Sequence, residues 1–212
     1  FLIKKNSKII ILSHVGRPQG KVDNKLSLKP ICIDIEKKIH HKIKLIKKNI
    51  YEINNHELFN DINEKIIMFE NIRFYEQEEK NDYKFASQLA NFADIYVNDA
   101  FSCSHRAHAS ISSITKFLPS FSGLQLELEV SALKKITSDI KKPITCIIGG
   151  SKISTKINII KNLIFKFDNI VFVGGMANNV IRYMGHNIGR SIHEENSDPI
   201  IKQIFNLSKK KM

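Results

Sequence analysis

The sequence predicts an α/β fold built on parallel sheet, and three observations carry that expectation. Five apolar, β-branched runs of strand length occur, at Lys8–Leu12, Ile66–Phe69, Ile95–Val97, Thr145–Ile148 and Ile170–Val173. Segments with helical spacing lie between them, which is the βαβ grammar of a parallel sheet. Each run also ends in a short polar or glycine-rich segment bearing anion-binding residue types. In open parallel sheets, ligands bind just beyond the carboxyl ends of the strands. The pattern restarts after Pro143, so we expect two Rossmann-like parallel-sheet domains joined by a helix, the second incomplete in this chain.

Taken in order, Lys8–Leu12 runs into Ser13-His14-Val15-Gly16-Arg17-Pro18. In that tight turn Gly16 lets backbone approach a ligand and Arg17 offers a planar fork to an anion. Leu28–His41 carries apolar residues at helical spacing. Ile66–Phe69 leads into Glu70-Asn71-Ile72-Arg73, which repeats the strand-then-arginine arrangement. Asp82–Ala93 places Phe85, Ala86, Leu89, Ala90 and Ala93 on one helical face. After Ile95–Val97 comes a mostly small and polar stretch from Asn98 to Pro119. It predicts a loop bearing Arg106, then a short helix around Ser110–Phe117. Gly123–Ile136 reads as a helix with Leu124, Leu126, Leu128, Val130 and Leu133 on more than one side, a candidate connector buried between two bodies. The expected organisation is therefore a domain over 1–122, a connecting helix over 123–142 and the start of a second domain over 143–212. The last has only about 70 residues, short for a doubly wound sheet.

In the second half, Gly149-Gly150-Ser151-Lys152-Ile153-Ser154-Thr155-Lys156 follows a strand and is expected to open a helix over Lys156–Phe165. Glycine-freed amides at a helix N-terminus make an anion cradle, and Lys152 and Lys156, four apart, point charge the same way. The segment is neither a Walker A loop nor a Gly-x-Gly-x-x-Gly fingerprint. The alternative reading is a capping turn with two surface lysines. Gly174-Gly175-Met176-Ala177 offers bare backbone against which a flat ring could pack.

Composition narrows the classes. Of the 212 residues 42% are hydrophobic, enough for a core and unlike a disordered chain. Three cysteines, widely spaced and without a Cys-x-x-Cys pair, argue against a disulfide framework or zinc knuckle and for a reducing cytosol. The start, Phe1-Leu2-Ile3-Lys4-Lys5, reverses the order of a secretory signal and looks cut. No apolar run approaches the ~20 residues of a spanning helix. A net charge of +12 raises nucleic acid or an anionic membrane surface as partners. The basic residues are dispersed, however, and mostly lysine, as in His40-His41-Lys42-Ile43-Lys44 and Lys209-Lys210-Lys211, without aromatic interleaving. Only five of the 33 basic residues are arginines, and Arg17, Arg73 and Arg106 all fall in segments after strands. Three such forks converging on one phosphate would contribute roughly 1.5–3 kcal/mol each before non-additivity. His105 and His108 without a nearby carboxylate or thiolate at ligand spacing make a poor metal site. Cys103 beside His105 is a poor nucleophile–base pair, since such partners are usually distant in sequence.

Together these segments closely resemble phosphoglycerate kinase. The resemblance rests on Ser13–Pro18, Glu70–Phe74, Asn-Asp-Ala-Phe (Asn98–Phe101) followed by His-Arg-Ala-His-Ala-Ser (His105–Ser110), Gly149–Lys156 and Gly174–Ala177, in the family's order and at compatible spacing across nearly the whole chain. It implies that His14, Val15, Gly16, Arg17, Arg73 and Arg106 bind 3-phosphoglycerate. It also implies that Gly149, Gly150, Lys152 and Lys156 hold the phosphates of ADP or ATP, with Gly174 and Gly175 beside the adenine. Arg17, Lys152 and Lys156 form the implied catalytic set, with a hinge near Gly123–Ile136 for domain closure. The implied reaction is 1,3-bisphosphoglycerate plus ADP giving 3-phosphoglycerate plus ATP, with magnesium, in a monomeric cytoplasmic glycolytic enzyme. Neither nucleic acid nor a membrane is then a partner. Departures are that Ser102-Cys103-Ser104 stands where Gly-Thr-Ala is usual, and that the family's first strand, with a further arginine, would lie before Phe1. Its later glycine run and magnesium-binding Asp would lie beyond Met212. The chain alone is therefore expected to turn over poorly, and the rival reading is a non-catalytic remnant or an anion- or nucleic-acid-binding protein.

Overall fold

The computed structural model describes residues 1–61, 64–138 and 140–209, without the side chain of His56. Lys210 and Lys211 of the terminal lysine run lie outside the described residues. The chain divides into two compact units, Phe1–Glu129 and Val130–Met212.

In the first unit β1 (Ile9–Ile11), β2 (Lys44–Ile46) and β3 (Ile66–Phe69) form a parallel sheet in the order β1-β3-β2. Ile9 pairs with Ile66, and Leu45 with Met68. The central strand, β3, is buried at all four positions, as a run of Ile-Ile-Met-Phe without a polar face requires. A second parallel ladder joins β4 (Tyr96–Asn98) to β5 (Ser120–Ser122). Helix α1 (Lys29–Ile39) carries Pro30 in its first turn, where a missing N–H costs nothing, and ends on His40 in the left-handed region.

After the four-residue helix α2 (Glu76–Glu79), α3 (Tyr83–Ala90) starts where Asp82 accepts a hydrogen bond from Phe85 N at 2.7 Å. Such a side-chain cap supplies one of the helix's four orphan donors with an acceptor. Phe85, Ala86, Leu89 and Ala90 are buried, and they pack with Ile67, Phe69, Phe92 and Ile114 in one cluster. Phe69 meets Phe92 edge-on at 5.3 Å. A separate cluster of Leu28, Cys32, Ile43, Ile66 and Met68 fills the opposite face of β3.

Helix α4 (Leu124–Thr137) is capped from outside, Leu126 N donating to Asp99 Oδ1 at 2.8 Å. Contrary to the expectation of a buried connector, no residue of α4 is buried, and Leu128 is 65% exposed. Its leucines are spread around the helix instead of gathered in one stripe, so no single face can be covered by one neighbour. The helix expected around Ser110–Phe117 is only a 3-10 turn at Ser113–Lys116, tied down where the Ser113 hydroxyl donates to Asn81 Oδ1 at 2.9 Å. The boundary between the two units falls inside α4.

In the second unit β6 (Thr145–Gly149) and β7 (Asn169–Val173) pair in parallel over five residues. Helices α5 (Ile157–Lys166), α6 (Gly175–Tyr183) and α7 (Asp198–Lys209) cover one face through Ile160, Ile164, Met176, Ile201 and Ile204, joined by Ile153 of the loop after β6. Among the described residues no helix is long and apolar enough to cross a membrane.

Removing the fully buried Phe85 ring leaves a cavity beneath β3. Phe85→Ala should destabilise the first unit by about 3–5 kcal/mol, read as a lowered urea midpoint. An unchanged midpoint would contradict the assignment of α3 to the core.

Candidate active site

The parallel pairing of β1 with β3 sets the loops after them side by side, and buried polar side chains then lock those loops together. Ile72 N donates to Ser13 O at 3.1 Å. Asn71, fully buried, donates through Nδ2 to Val15 O at 2.8 Å and Leu26 O at 2.9 Å, while its Oδ1 accepts from Arg73 N at 3.1 Å. The Glu70 carboxylate accepts from Leu28 N and Ser27 Oγ, both at 2.7 Å, and from Asn71 N at 2.9 Å. Burial pushes that carboxyl up, but these three donors leave it below its ordinary value. Gly16 holds φ +67°, and a Cβ there would come within 2.7 Å of Leu26, so the His14–Arg17 turn requires glycine.

Arg73 is 4% exposed, a charge that burial makes costly unless it is partnered. Its Nη1 donates to Gly16 O at 3.1 Å and its Nε lies 3.6 Å from Glu79 Oε1. A cavity of about 290 Å³ is lined by Ser13, His14, Arg73, Glu78, Cys103, His108 and their neighbours. His14 and His108 are both held below the ordinary histidine range, first by burial and then by the Arg73 guanidinium, with Arg106 acting on each in the same direction. Burial and the Arg73 guanidinium together therefore disfavour a further positive charge in the cavity. Arg106 is half-buried in the loop after β4, and Arg17 and Gly16 lie exposed on the outer side of the β1 turn. Neither Arg17 nor Arg106 lines the cavity, so the described geometry joins His14, Arg73 and His108 and leaves the other two arginines at greater reach.

In the second unit the pairing of β6 with β7 sets Gly149-Gly150 beside Gly174-Gly175. Met176 N donates to Gly150 O at 2.9 Å, and a Cβ on Gly175 would lie 3.1 Å from Ser151 Cα. Gly175 thus sits where backbone packs on backbone, and a side chain there would have to push Ser151 and Gly150 back by a few tenths of an ångström. Gly174, at φ +62°, would meet only Gly150 atoms, at 3.8 Å or more, so its outer side is open. Lys156 Nζ donates to Gly149 O at 3.1 Å, and Lys152 is exposed.

The helical spacing expected for the two lysines is not formed. Only a 3-10 turn, Ser154–Lys156, precedes α5, so Lys152 lies before any helix and Lys156 at its N-cap. The Ser154 amide donates at 3.1 Å to the Glu194 carboxylate, which also accepts from the Ser154 hydroxyl. Asn179 Oδ1 in turn accepts from Glu194 N at 2.7 Å. Sequence reasoning missed Glu194 because it lies 40 residues from its partner, inside a polar loop. A larger cavity in this unit, about 500 Å³, is lined by Arg182, His193, Glu195 and Asp198 and contains none of the expected site residues.

The phosphoglycerate kinase family matches residues 1–212. The phosphoglycerate kinase of Wolbachia sp. subsp. Drosophila simulans is 46% identical over 210 residues, 99% of this chain and 52% of that protein. That of Bartonella bacilliformis is 42% identical over 96% of this chain and 51% of its own length. Among solved structures, phosphoglycerate kinase from Coxiella burnetii superposes with a TM-score of 0.84 at 32% identity, covering 99% of this chain and 53% of that one. The chain spans about half the length of the curated relatives it matches.

The depressed histidines carry a pH dependence whose sign is fixed. The unfolded chain protonates them first, so stability is fully present above the ordinary 6.5 and is lost as pH falls toward the lowered folded values. Glu78, pushed up by burial, contributes the opposite slope and is common to parent and variant. The double variant His14→Asn, His108→Asn should therefore lose less stability than the parent between about pH 7 and pH 5.5 by urea denaturation. Equal losses would contradict the assignment.

Proposed function

Because the chain belongs to the phosphoglycerate kinase family, we propose that its first unit binds 3-phosphoglycerate and its second binds the phosphates of ADP or ATP. The whole protein would then transfer a phosphoryl group reversibly from 1,3-bisphosphoglycerate to ADP. The observation that carries this reading is the cavity beyond the carboxyl ends of parallel strands, lined by His14, buried Arg73 and His108 and lying within the field of Arg106. In the ATP-forming direction the nucleophile is an ionised diphosphate oxygen, and in reverse it is a carboxylate, so no general base is needed. Positioning and positive charge are what such a site must supply.

On this reading His14, Val15, Gly16, Arg17, Arg73 and Arg106 receive the substrate's phosphate and carboxylate. Gly149, Gly150, Lys152 and Lys156 hold the nucleotide phosphates, and Gly174 and Gly175 stand beside the base. Two features support a nucleotide in the second unit: the open side of Gly174 admits a ligand against backbone, and the Lys152 ammonium is exposed and within reach of an anion from solvent. Magnesium would accompany the nucleotide and neutralise its phosphates. Among the described residues no group of three or more His, Cys, Asp or Glu is arranged to hold a metal ion, so no protein ligand to it is assigned. The same reading makes the protein a cytoplasmic, monomeric glycolytic kinase acting on small molecules, with neither nucleic acid nor a membrane as partner.

Charge-assisted hydrogen bonds contribute about 1.5–3 kcal/mol, so Arg106→Ala and Arg17→Ala should each weaken 3-phosphoglycerate binding by about tenfold to a hundredfold in calorimetric titration. Unchanged affinity in both would sink the site assignment. A nucleic-acid binder would instead show affinity for duplex or single strands that falls steeply with salt and ignores both substitutions.

A further inference from the structure

Glu78 is 2% exposed in a stretch of acidic residues, Glu76-Gln77-Glu78-Glu79, that would otherwise face solvent. Burying a carboxyl group is costly unless its oxygens are occupied, so its partners show what the burial achieves. Oε2 accepts from Ser110 N at 2.9 Å and Oε1 from Ser110 Oγ at 2.6 Å. Oε1 also lies 3.7 Å from His108 Nδ1, and the backbone carbonyl of Glu78 accepts from Ala109 N at 2.9 Å. Every one of these partners belongs to His108–Ser110, the end of the loop that carries His105 and Arg106. The adjacent Glu79 pairs with Arg73. One turn of helix thus reaches both Arg73 and the His108–Ser110 loop.

We propose that Glu78 is a positioning residue for the anion site: its carboxyl group fixes His108–Ser110, and through that loop sets where Arg106 and His108 meet the substrate. The proposal rests on the 3-phosphoglycerate reading of the site, and it assigns Glu78 no contact with substrate. The hydrogen bonds, more than the charge, do the positioning. A glutamine can accept from Ser110 N through its oxygen and donate to Ser110 Oγ through its amide, whereas alanine can do neither.

The test is calorimetric titration of the full chain with 3-phosphoglycerate, together with amide hydrogen exchange at Ala109 and Ser110. Glu78→Ala should weaken binding at least about tenfold and speed exchange at both amides, and Ser110→Ala should weaken binding about threefold to tenfold. Glu78→Gln should restore affinity to within about threefold of the parent, with slow exchange. Parental affinity in Glu78→Ala would overturn the proposal. So would equal weakening by Ala and Gln, since a role in bulk stability or charge alone would not distinguish the two as hydrogen bonding does. Should Glu78→Ala fail to fold, Ser110→Ala and Glu78→Gln decide alone: parental affinity in Ser110→Ala, or lost affinity in Glu78→Gln, overturns it. Absence of binding by the unaltered chain would overturn the substrate reading, and the exchange rates of Glu78→Gln and Ser110→Ala would then decide whether Glu78 holds the loop.

Discussion

The polar knot at the carboxyl end of β3 is the constraint on which the first unit depends. β3 is buried on both faces, so the chain that leaves it emerges from the core among groups that water does not reach. Glu70, Asn71 and Arg73 must therefore find protein partners there. Those partners are Val15 and Gly16 of the turn after β1, Leu26 to Leu28 before α1, and Glu79 of α2. Satisfying the buried groups and shaping the candidate site are the same event. This explains how a short loop and the single 3-10 turn Ile72–Phe74 can present His14 and Arg73 in fixed geometry.

The second unit reaches a comparable end by backbone alone. Two neighbouring parallel strands each finish in a glycine pair, and the loops pack on each other closely enough that a side chain at Gly175 would press on the backbone of Gly150 and Ser151. Lys156 is drawn inward to Gly149 O. The Ser154 amide, in the turn before α5, is taken by Glu194, itself held by Asn179, while Lys152 is exposed and the outer side of Gly174 is open. The helical spacing expected for Lys152 and Lys156 is therefore not formed, whereas the two glycine pairs do lie side by side.

Much of this was legible in the sequence where a local pattern and tertiary demand agree. β3, α3 and the β6 and β7 strands follow directly from apolar runs and helical spacing. β2 was not legible, because Lys44-Leu45-Ile46 is a three-residue strand behind a lysine, identified only by its pairing with β3. β5 is Ser-Phe-Ser, with every residue exposed, and owes its form to pairing with β4. The apolar content of α4 promised burial that the structure does not show. In the site, Arg73 stood out with Arg17 and Arg106 as one of three arginines after strands, whereas His14 came only with the family resemblance. Glu78 did not, because an acidic residue among acidic residues reads as solvated surface, and its partner lies 32 residues away.

On the proposed reading, the loops after β1, β3 and β4 form one anion site for 3-phosphoglycerate. The most direct measurement is a map of backbone amide shifts in the labelled chain during titration with 3-phosphoglycerate. The predicted result is saturable change gathered in Ser13–Arg17, Asn71–Arg73 and Asp99–Ser110, with the amides of α7 unmoved. Shifts spread over surface lysines without saturation, or gathered around Arg182 and His193 instead, would contradict it.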